Sequence, residues 1–244
     1  MTVVRCRIIE LRQYTLHPGQ RDVLINLFDR EFVESQEQLG MTILGQFRDL
    51  DDPDRFVWLR GFDTMPGRAE ALNRFYTGPV WRANSAAANA TMIDSDDVLL
   101  LRPASDRDAF PAPTAHRPPP GHPQSEPSLV LATIYYRDRP FDDEFLDFFD
   151  TQVRPALAAA GAEPLACLQT EYAENTFPGL PIRTGEHALV WFARFASPAH
   201  ADAFEDRLQH SEVWQGHTLP GLSTMITETP QRLRLAPTAR SLLR

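Results

Sequence analysis

All four tryptophans of this chain obey one displacement: Trp58 and Trp191 stand 133 residues apart, and so do Trp81 and Trp214. Around them FVWLRGFDT (residues 56–64) faces LVWFARFAS (189–197), and PVW (79–81) faces EVW (212–214), with Arg74 opposite Arg207. Nearer the start of each half the displacement is 121, pairing Tyr14 with Tyr135, Leu24 with Phe145, Phe28 with Phe149 and Asp29 with Asp150. A longer loop in the second half, AENTFPGLPIRTGE (173–186), accounts for the difference, because the first half has only LDDPDR there. Two copies are too few to stack as a solenoid, so the pattern predicts two similar units that bury apolar faces against each other.

Each unit reads as strand, helix, strand, strand, helix, strand. In the first, residues 4–15 are rich in β-branched side chains and are followed by the breaker Pro18-Gly19. Leu24, Leu27, Phe28 and Phe32 then recur at three- and four-residue spacing, which predicts a helix ending near Gly40. Strands follow over 41–48 and 56–63, separated by the turn-forming DLDDPD, then a helical region over about 66–90 and a strand over 98–102. The second unit repeats this with a strand over 129–137, a helix carrying Phe141, Phe145, Phe149, Val153 and Leu157, strands near 164–172 and 187–196, a helix from Pro198 and a strand ending near Leu235. This βαββαβ order is that of a ferredoxin-like α+β domain. Such a sheet, covered by helices on one side, leaves its other side open, and two copies on one chain supply both sides of a closed unit. The expected architecture is therefore two tandem ferredoxin-like domains forming an intramolecular dimeric α+β barrel. The expected boundaries are a first domain over 1–102, a linker over 103–128, a second domain over 129–236 and a tail over 237–244. The linker carries eight of the 21 prolines and almost no large apolar residues, so it reads as a semi-rigid polyproline spacer running over the surface.

Charge and composition exclude several classes. With 33 acidic against 24 basic residues, a net charge of −9 argues against nucleic acid or an anionic membrane as the main partner. The chain has no lysine, which rules out a Schiff-base lysine, a pyridoxal-phosphate anchor and a Walker A lysine. Cys6 and Cys167 belong to no CxxC or Cys/His cluster, so neither a disulfide scaffold nor a structural zinc site is expected. Residues 1–13 hold no apolar stretch of signal-peptide length, and the longest apolar run, about 129–136, falls far short of the ~20 residues that span a bilayer. A cytoplasmic location is expected, with a small molecule as partner and homodimerisation possible but not required.

Alternate side chains of a strand share a face, so Glu10, Arg12 and Tyr14 project together. A charge pair beside a phenol on a covered strand predicts a proton-transfer or anion-orienting site in the barrel interior, and Glu10, Arg12 and Tyr14 are the expected catalytic residues. The competing reading is a salt bridge that only fixes strand register. The second half places Leu131 and Thr133 at the first two positions and keeps only Tyr135, so a single pocket would be lopsided toward the first half. Trp58 and Arg60, on one strand face with Phe56 and Phe62, form an expected ligand clamp, with Tyr135 and Trp191 completing the ligand-binding set. Core packing is the competing account of both tryptophans. His210 and His217 are placed seven apart on one helix with Glu212 nearby, in a pattern that matches no metal motif, so no metal is expected. No GxSxG, GxGxxG or catalytic Cys–His signature occurs. Acidic groups at Asp51, Asp52 and Asp54, at Asp94, Asp96 and Asp97, and at 142–144 read as solvated turns and helix starts.

The opening ELRQYTLHPG (10–19), the helix after it and the VWLRGFDT…R…VW block (57–81) resemble the NIPSNAP family, over nearly all of the first half. In the second half the resemblance rests on VWFARFAS and VW, because ATIYYRDRP (132–140) lacks counterparts of Glu10 and Arg12. The resemblance implies the dimeric α+β barrel form of the ferredoxin-like fold. Relatives of that barrel include cofactor-free monooxygenases, isomerases and cyclases as well as haem-binding enzymes, so the likeness narrows the chemistry little. The expected function is that of a cofactor-independent protein of small-molecule metabolism. It would bind an aromatic or polyketide-like compound in the barrel, with isomerisation, cyclisation or oxidation as the chemistry. The alternative is a non-catalytic ligand-binding or assembly module.

Overall fold

The computed structural model describes residues 6–112, 116–123 and 127–244. The first half runs β1 (Ile8–Leu16), α1 (Arg21–Leu27), a π-helical turn (Phe28–Phe32), α2 (Val33–Glu37), β2 (Thr42–Asp49), β3 (Arg55–Phe62), α3 (Met65–Tyr76), α4 (Pro79–Asn89) and β4 (Met92–Pro103). After a 3-10 turn at Asp106–Asp108 come β5 (Leu129–Arg137), α5 (Asp143–Phe148), a second π-helical turn (Phe149–Val153), α6 (Arg154–Ala160), β6 (Ala166–Thr170) and β7 (His187–Phe195). The chain closes with α7 (Pro198–Gln209), a third π-helical turn (Trp214–Thr218), α8 (Leu219–Met225) and β8 (Gln231–Pro237). The first two π-helical turns start at Phe28 and Phe149, which keeps the 121-residue displacement of the sequence.

The eight strands form one closed antiparallel barrel in the order β1-β3-β2-β8-β5-β7-β6-β4. β1 lies between β3 and β4 with β2 beyond β3, and β5 lies between β7 and β8 with β6 beyond β7. Short seams join the halves: β2 to β8 from Phe47↔Pro237 to Asp49↔Leu235, and β4 to β6 from Leu101↔Thr170 to Pro103↔Leu168. Registers agree across the halves, for Arg12 faces Trp58 as Thr133 faces Trp191, and Glu10 faces Arg60 as Leu131 faces Ala193. Helix starts agree too: the Thr64 hydroxyl accepts from the Gly67 amide at α3, and the Ser197 hydroxyl from the His200 amide at α7.

Alternation along the strands builds three cores. Inside the barrel, Ile9, Leu11, Val57 and Leu59 of the first half pack with Val130, Ile134, Val190 and Phe192 of the second. Outside it, α1 to α4 cover the first half's sheet through Leu24, Phe28, Phe32 and Phe75, while the second half's helices do so through Phe145, Phe149, Leu157 and Phe204. Each such side chain withdrawn from water contributes about 1.5–3 kcal/mol. The interior expected to hold a ligand is thus filled by aliphatic and aromatic side chains from both halves.

Several local expectations are corrected. The helical region of 66–90 is two helices, because Gly78 is extended and a Cβ there would lie 2.7 Å from the Arg74 carbonyl, while Pro79 opens α4 with no amide to donate. β4 begins at Met92, so Asp94, Asp96 and Asp97 lie on a bulged strand rather than in a turn. His210 caps α7 whereas His217 sits in the following π-helical turn, so they do not share a helix. Among the described residues no cluster of three His, Cys, Asp or Glu could hold a metal ion. No helix among them is long and apolar enough to cross a membrane. The proline-rich segment does more than span. Phe110 enters the barrel core against Phe192, with ring centroids 5.0 Å apart, and Arg117 donates to Glu37, to the Ile43 carbonyl and to the Arg240 carbonyl. Residues 113–115 and 124–126 of that segment, and 1–5, which include the first two residues of the expected first strand, lie outside the described residues. The final residues are also part of the barrel, with Leu243 in its core and Gln46 donating its amide to the Ser241 hydroxyl.

Candidate functional site

On β1 the odd-numbered Ile9 and Leu11 point into the barrel, so Glu10, Arg12 and Tyr14 point the other way, under the helices. The expected constellation therefore exists, but between sheet and helices and not in the barrel interior. Arg60 and Trp58 reach the same layer from β3, directly opposite Glu10 and Arg12. Glu10 accepts from Arg12 Nη1 at 2.8 Å, from Arg60 Nη2 at 2.6 Å and, through its other oxygen, from Arg68 Nε at 2.7 Å. All four side chains are at most 1% exposed. Burial pushes the Glu10 carboxyl up, yet Arg60, Arg12 and Arg68 outweigh it and hold the group well below the usual carboxylate range. Burial also presses Arg68 downward, reinforced by repulsion from Arg60 and Arg12 against the attraction of Glu10.

One carboxylate faces three guanidiniums, and among the described residues no second carboxylate comes within ion-pair distance of Arg12, Arg60 or Arg68. The remaining donors are met by neutral groups. Arg60 Nη1 bonds the Gln36 side-chain oxygen at 2.8 Å, and Arg68 Nη1 bonds Asn175 at 3.0 Å. Arg68 Nη2 is buried without a hydrogen-bond partner among the described residues. Arg12 and Arg60 both lie near the Trp58 ring, 5.5 and 5.0 Å from its centroid, so the indole contacts both cations.

Beside this cluster lies a cavity of about 30 Å³ whose walls include Tyr14, Phe28, Gln36, Trp58, Tyr76 and Trp81. It has room for about two water molecules. Tyr76 and Trp81 are only half-buried and mark its outer rim. The Tyr14 hydroxyl accepts from Arg12 Nε at 3.0 Å. A guanidinium cannot accept in return, so Tyr14 retains its own proton to donate. Burial raises the phenol above its ordinary value, against the pull of Arg12, which keeps it protonated at neutral pH. Trp58 Nε1 is buried and has no hydrogen-bond partner among the described residues. The second half differs at this point, because Trp191 Nε1 donates to the Tyr135 hydroxyl at 3.0 Å. Trp191 therefore spends its donor on Tyr135 under the other half's helices, and the structure does not bring the two to the first half's cavity.

Sequence reasoning missed Arg68, Gln36 and the loop that covers them. Arg68 shares a helical face with the buried Ala71, Leu72 and Phe75, and Gln36 follows Phe32 and Val33. A charged or amide side chain at a core-facing helical position was the available signal. The long loop at 173–186 gave none. It reaches across from the second half, where Phe177 stacks on Tyr76 at 5.8 Å and Asn175 and Thr176 meet Arg68.

Residues 9–107 match the family model of NIPSNAP. No curated protein matches the chain in sequence. Among solved structures, a candidate monooxygenase of Fusobacterium nucleatum subsp. nucleatum is 10% identical, with 96% of this chain and 93% of that chain covered at a TM-score of 0.55. An anthrone oxidase-like protein is 11% identical, with 98% and 94% covered at a TM-score of 0.54. Both likenesses show a shared fold over the full length. A NIPSNAP family protein of unknown function from Agrobacterium tumefaciens is 20% identical over 42% of this chain and 92% of that chain, at a TM-score of 0.39. The N-terminal half therefore carries a segment, residues 9–107, that is similar to the NIPSNAP family.

Proposed function

We propose that this is a protein of small-molecule metabolism that holds an acceptor-bearing aromatic compound in the helix-side cavity of its N-terminal half. The observation that carries the reading is Trp58 Nε1, a donor on the cavity wall with no acceptor among the described residues, where its counterpart Trp191 donates to Tyr135; the Tyr14 hydroxyl proton lies on the same wall. A buried donor without an acceptor costs about 1–3 kcal/mol, which a bound carbonyl or oxyanion would recover. The aromatic walls suit a flat, apolar ligand body. Because pockets for such ligands run to about 300–1,000 Å³, entry requires Tyr76, Trp81 and the stacked Phe177 to swing outward. In this reading Tyr14 is the hydrogen-bond donor or general acid, Trp58 is wall and donor, Arg12 and Arg60 supply positive potential, and Glu10, locked by three guanidiniums, anchors them instead of moving a proton. Isomerisation, cyclisation or oxidation of the ligand fits this donor set, and the two full-length structural neighbours supply precedent on the same fold for the oxidative case.

The architecture belongs to the same proposal. The two halves, with equal strand order and matching registers, are two copies of one ferredoxin-like unit, residues 1–102 and 129–236, of which only the first keeps a polar site. A test is native mass spectrometry and tryptophan fluorescence with a panel of small aromatic ketones and phenols. Saturable binding that weakens in Trp58→Phe and Tyr14→Phe but not in Trp191→Phe is expected, and binding indifferent to the first two substitutions rejects the site. Turnover of a bound compound by the parent protein, lost in Tyr14→Phe, separates an enzyme from a binding module.

A further inference from the structure

The second half shows what this helix-to-sheet layer needs in order to fold. By the register of the two sheets and the 133-residue displacement, Glu10, Arg12, Arg60 and Arg68 correspond to Leu131, Thr133, Ala193 and Ala201. None of those four positions carries an ion there, and Leu131, Ala193 and Ala201 sit in one apolar core. The ionic cluster of the first half is therefore not demanded by the fold. Nor is it a balanced substitute, because three guanidiniums against one carboxylate leave a surplus of two positive charges in a region at most 1% exposed. An uncompensated buried charge is penalised by several kcal/mol per ion. Neutral side chains from Gln36, Tyr14 and Asn175 relieve this only in part, and Arg68 Nη2 still lacks an acceptor among the described residues. The surplus lies against the cavity, for Arg12 and Arg60 contact the Trp58 ring that lines it and Gln36 bonds Arg60 from its wall. No other carboxylate stands within ion-pair distance of these arginines among the described residues, so the compensating charge has to arrive with a ligand.

We propose that the ligand of this cavity is an anion, an aromatic carboxylate, phenolate or enolate, and that the surplus charge of the Glu10–Arg12–Arg60–Arg68 cluster is its counter-charge. The proposal rests on the helix-side cavity being the ligand site and adds the ligand's charge. Trp58 Nε1 and the Tyr14 hydroxyl donate to the anionic oxygen, while the guanidiniums behind them act through the low-dielectric wall. Glu10 holds three cations in place at the cost of one unit of their charge. An equal number of carboxylates would have cancelled the field.

The experiment compares benzoate with benzamide, which share shape but not charge, by tryptophan fluorescence titration at pH 7 and low ionic strength. Benzoate is expected to bind the wild-type protein saturably and at least tenfold more tightly than benzamide. In the fourfold variant Glu10→Leu, Arg12→Met, Arg60→Met, Arg68→Met, which removes the cluster without stranding a charge, that preference should vanish. Equal affinity of the wild type for the two probes overturns the anion inference and leaves the cavity reading intact. Failure of both probes to bind the folded wild type overturns the two together. A preference that survives in the fourfold variant also overturns the inference. The wild-type comparison decides by itself should the variant not fold.

Discussion

Replacing Glu10 with Gln is nearly isosteric, yet it converts one anion facing three cations into three cations alone. Glu10 receives charged hydrogen bonds of 2.8, 2.6 and 2.7 Å from three arginines, all of them buried. Breaking one buried pair by removing a partner costs about 3–5 kcal/mol. With three partners stranded, the loss should lie at the upper end, about 5 kcal/mol. Domains of this kind are stable by about 5–15 kcal/mol, so Glu10→Gln should take a third or more of the total. The fourfold apolar variant should instead be close to neutral, because exchanging a buried ion cluster for apolar side chains of similar volume is neutral or stabilising by about 1–4 kcal/mol. Urea unfolding at pH 7, followed by tryptophan fluorescence and extrapolated linearly, measures both. The acid limb gives a second reading. The Glu10 pKa is depressed in the folded state, so the stability it contributes is present above its unfolded value of about 4.3 and is lost as pH falls toward the folded value. Wild-type stability should fall in that window more steeply than that of Glu10→Gln. A loss below about 1 kcal/mol for Glu10→Gln at pH 7, or a fourfold variant destabilised as much as the single one, would refute the account of the cluster as a carboxylate restraining surplus charge.

Trp191→Phe breaks a buried hydrogen bond and leaves the Tyr135 hydroxyl without its donor, whereas Trp58→Phe removes a donor that has no hydrogen-bond partner among the described residues. Denaturant midpoints should therefore show Trp191→Phe about 1 kcal/mol more damaging than Trp58→Phe. Burial raises the thiols of Cys167 and Cys6 above their ordinary values, so neither should react with a disulfide reagent at pH 8 until the protein unfolds, and prompt labelling of the native state would contradict their packing. Phe177→Ala removes the ring stacked on Tyr76 and should speed ligand entry at the cavity rim, read as a faster association phase in stopped-flow fluorescence, with a change in global stability of about 1 kcal/mol or less.

The correspondence of strand order and register between the two halves was legible because tryptophans and large aromatics cannot be moved within a core without cost, so their spacing agrees even where the surrounding residues differ. Strand alternation also grouped Glu10, Arg12 and Tyr14 correctly. It could not say which face of β1 looks into the barrel, because both faces are covered. The inner face holds Ile9 and Leu11 and the outer face holds the ions, the reverse of the expected placement. Only closure of eight strands around a packed interior decides that question. Arg68 escaped notice for a related reason, since it lies 58 residues from the carboxylate it bonds and on a helix whose docking angle the sequence does not state. The same holds for Phe177, carried by an insertion that from its composition could only be called a loop.

Local rules thus determined the elements, their order and the parallel between the two halves, because helix and strand periodicity, turn residues and bulky aromatics act over a few residues at a time. The tertiary structure alone decided that the barrel is solid, that the polar layer lies outside it, and that one half carries a surplus of buried positive charge. Those outcomes depend on which distant side chains share a desolvated volume, and charge balance is a property of that volume, not of any stretch of chain.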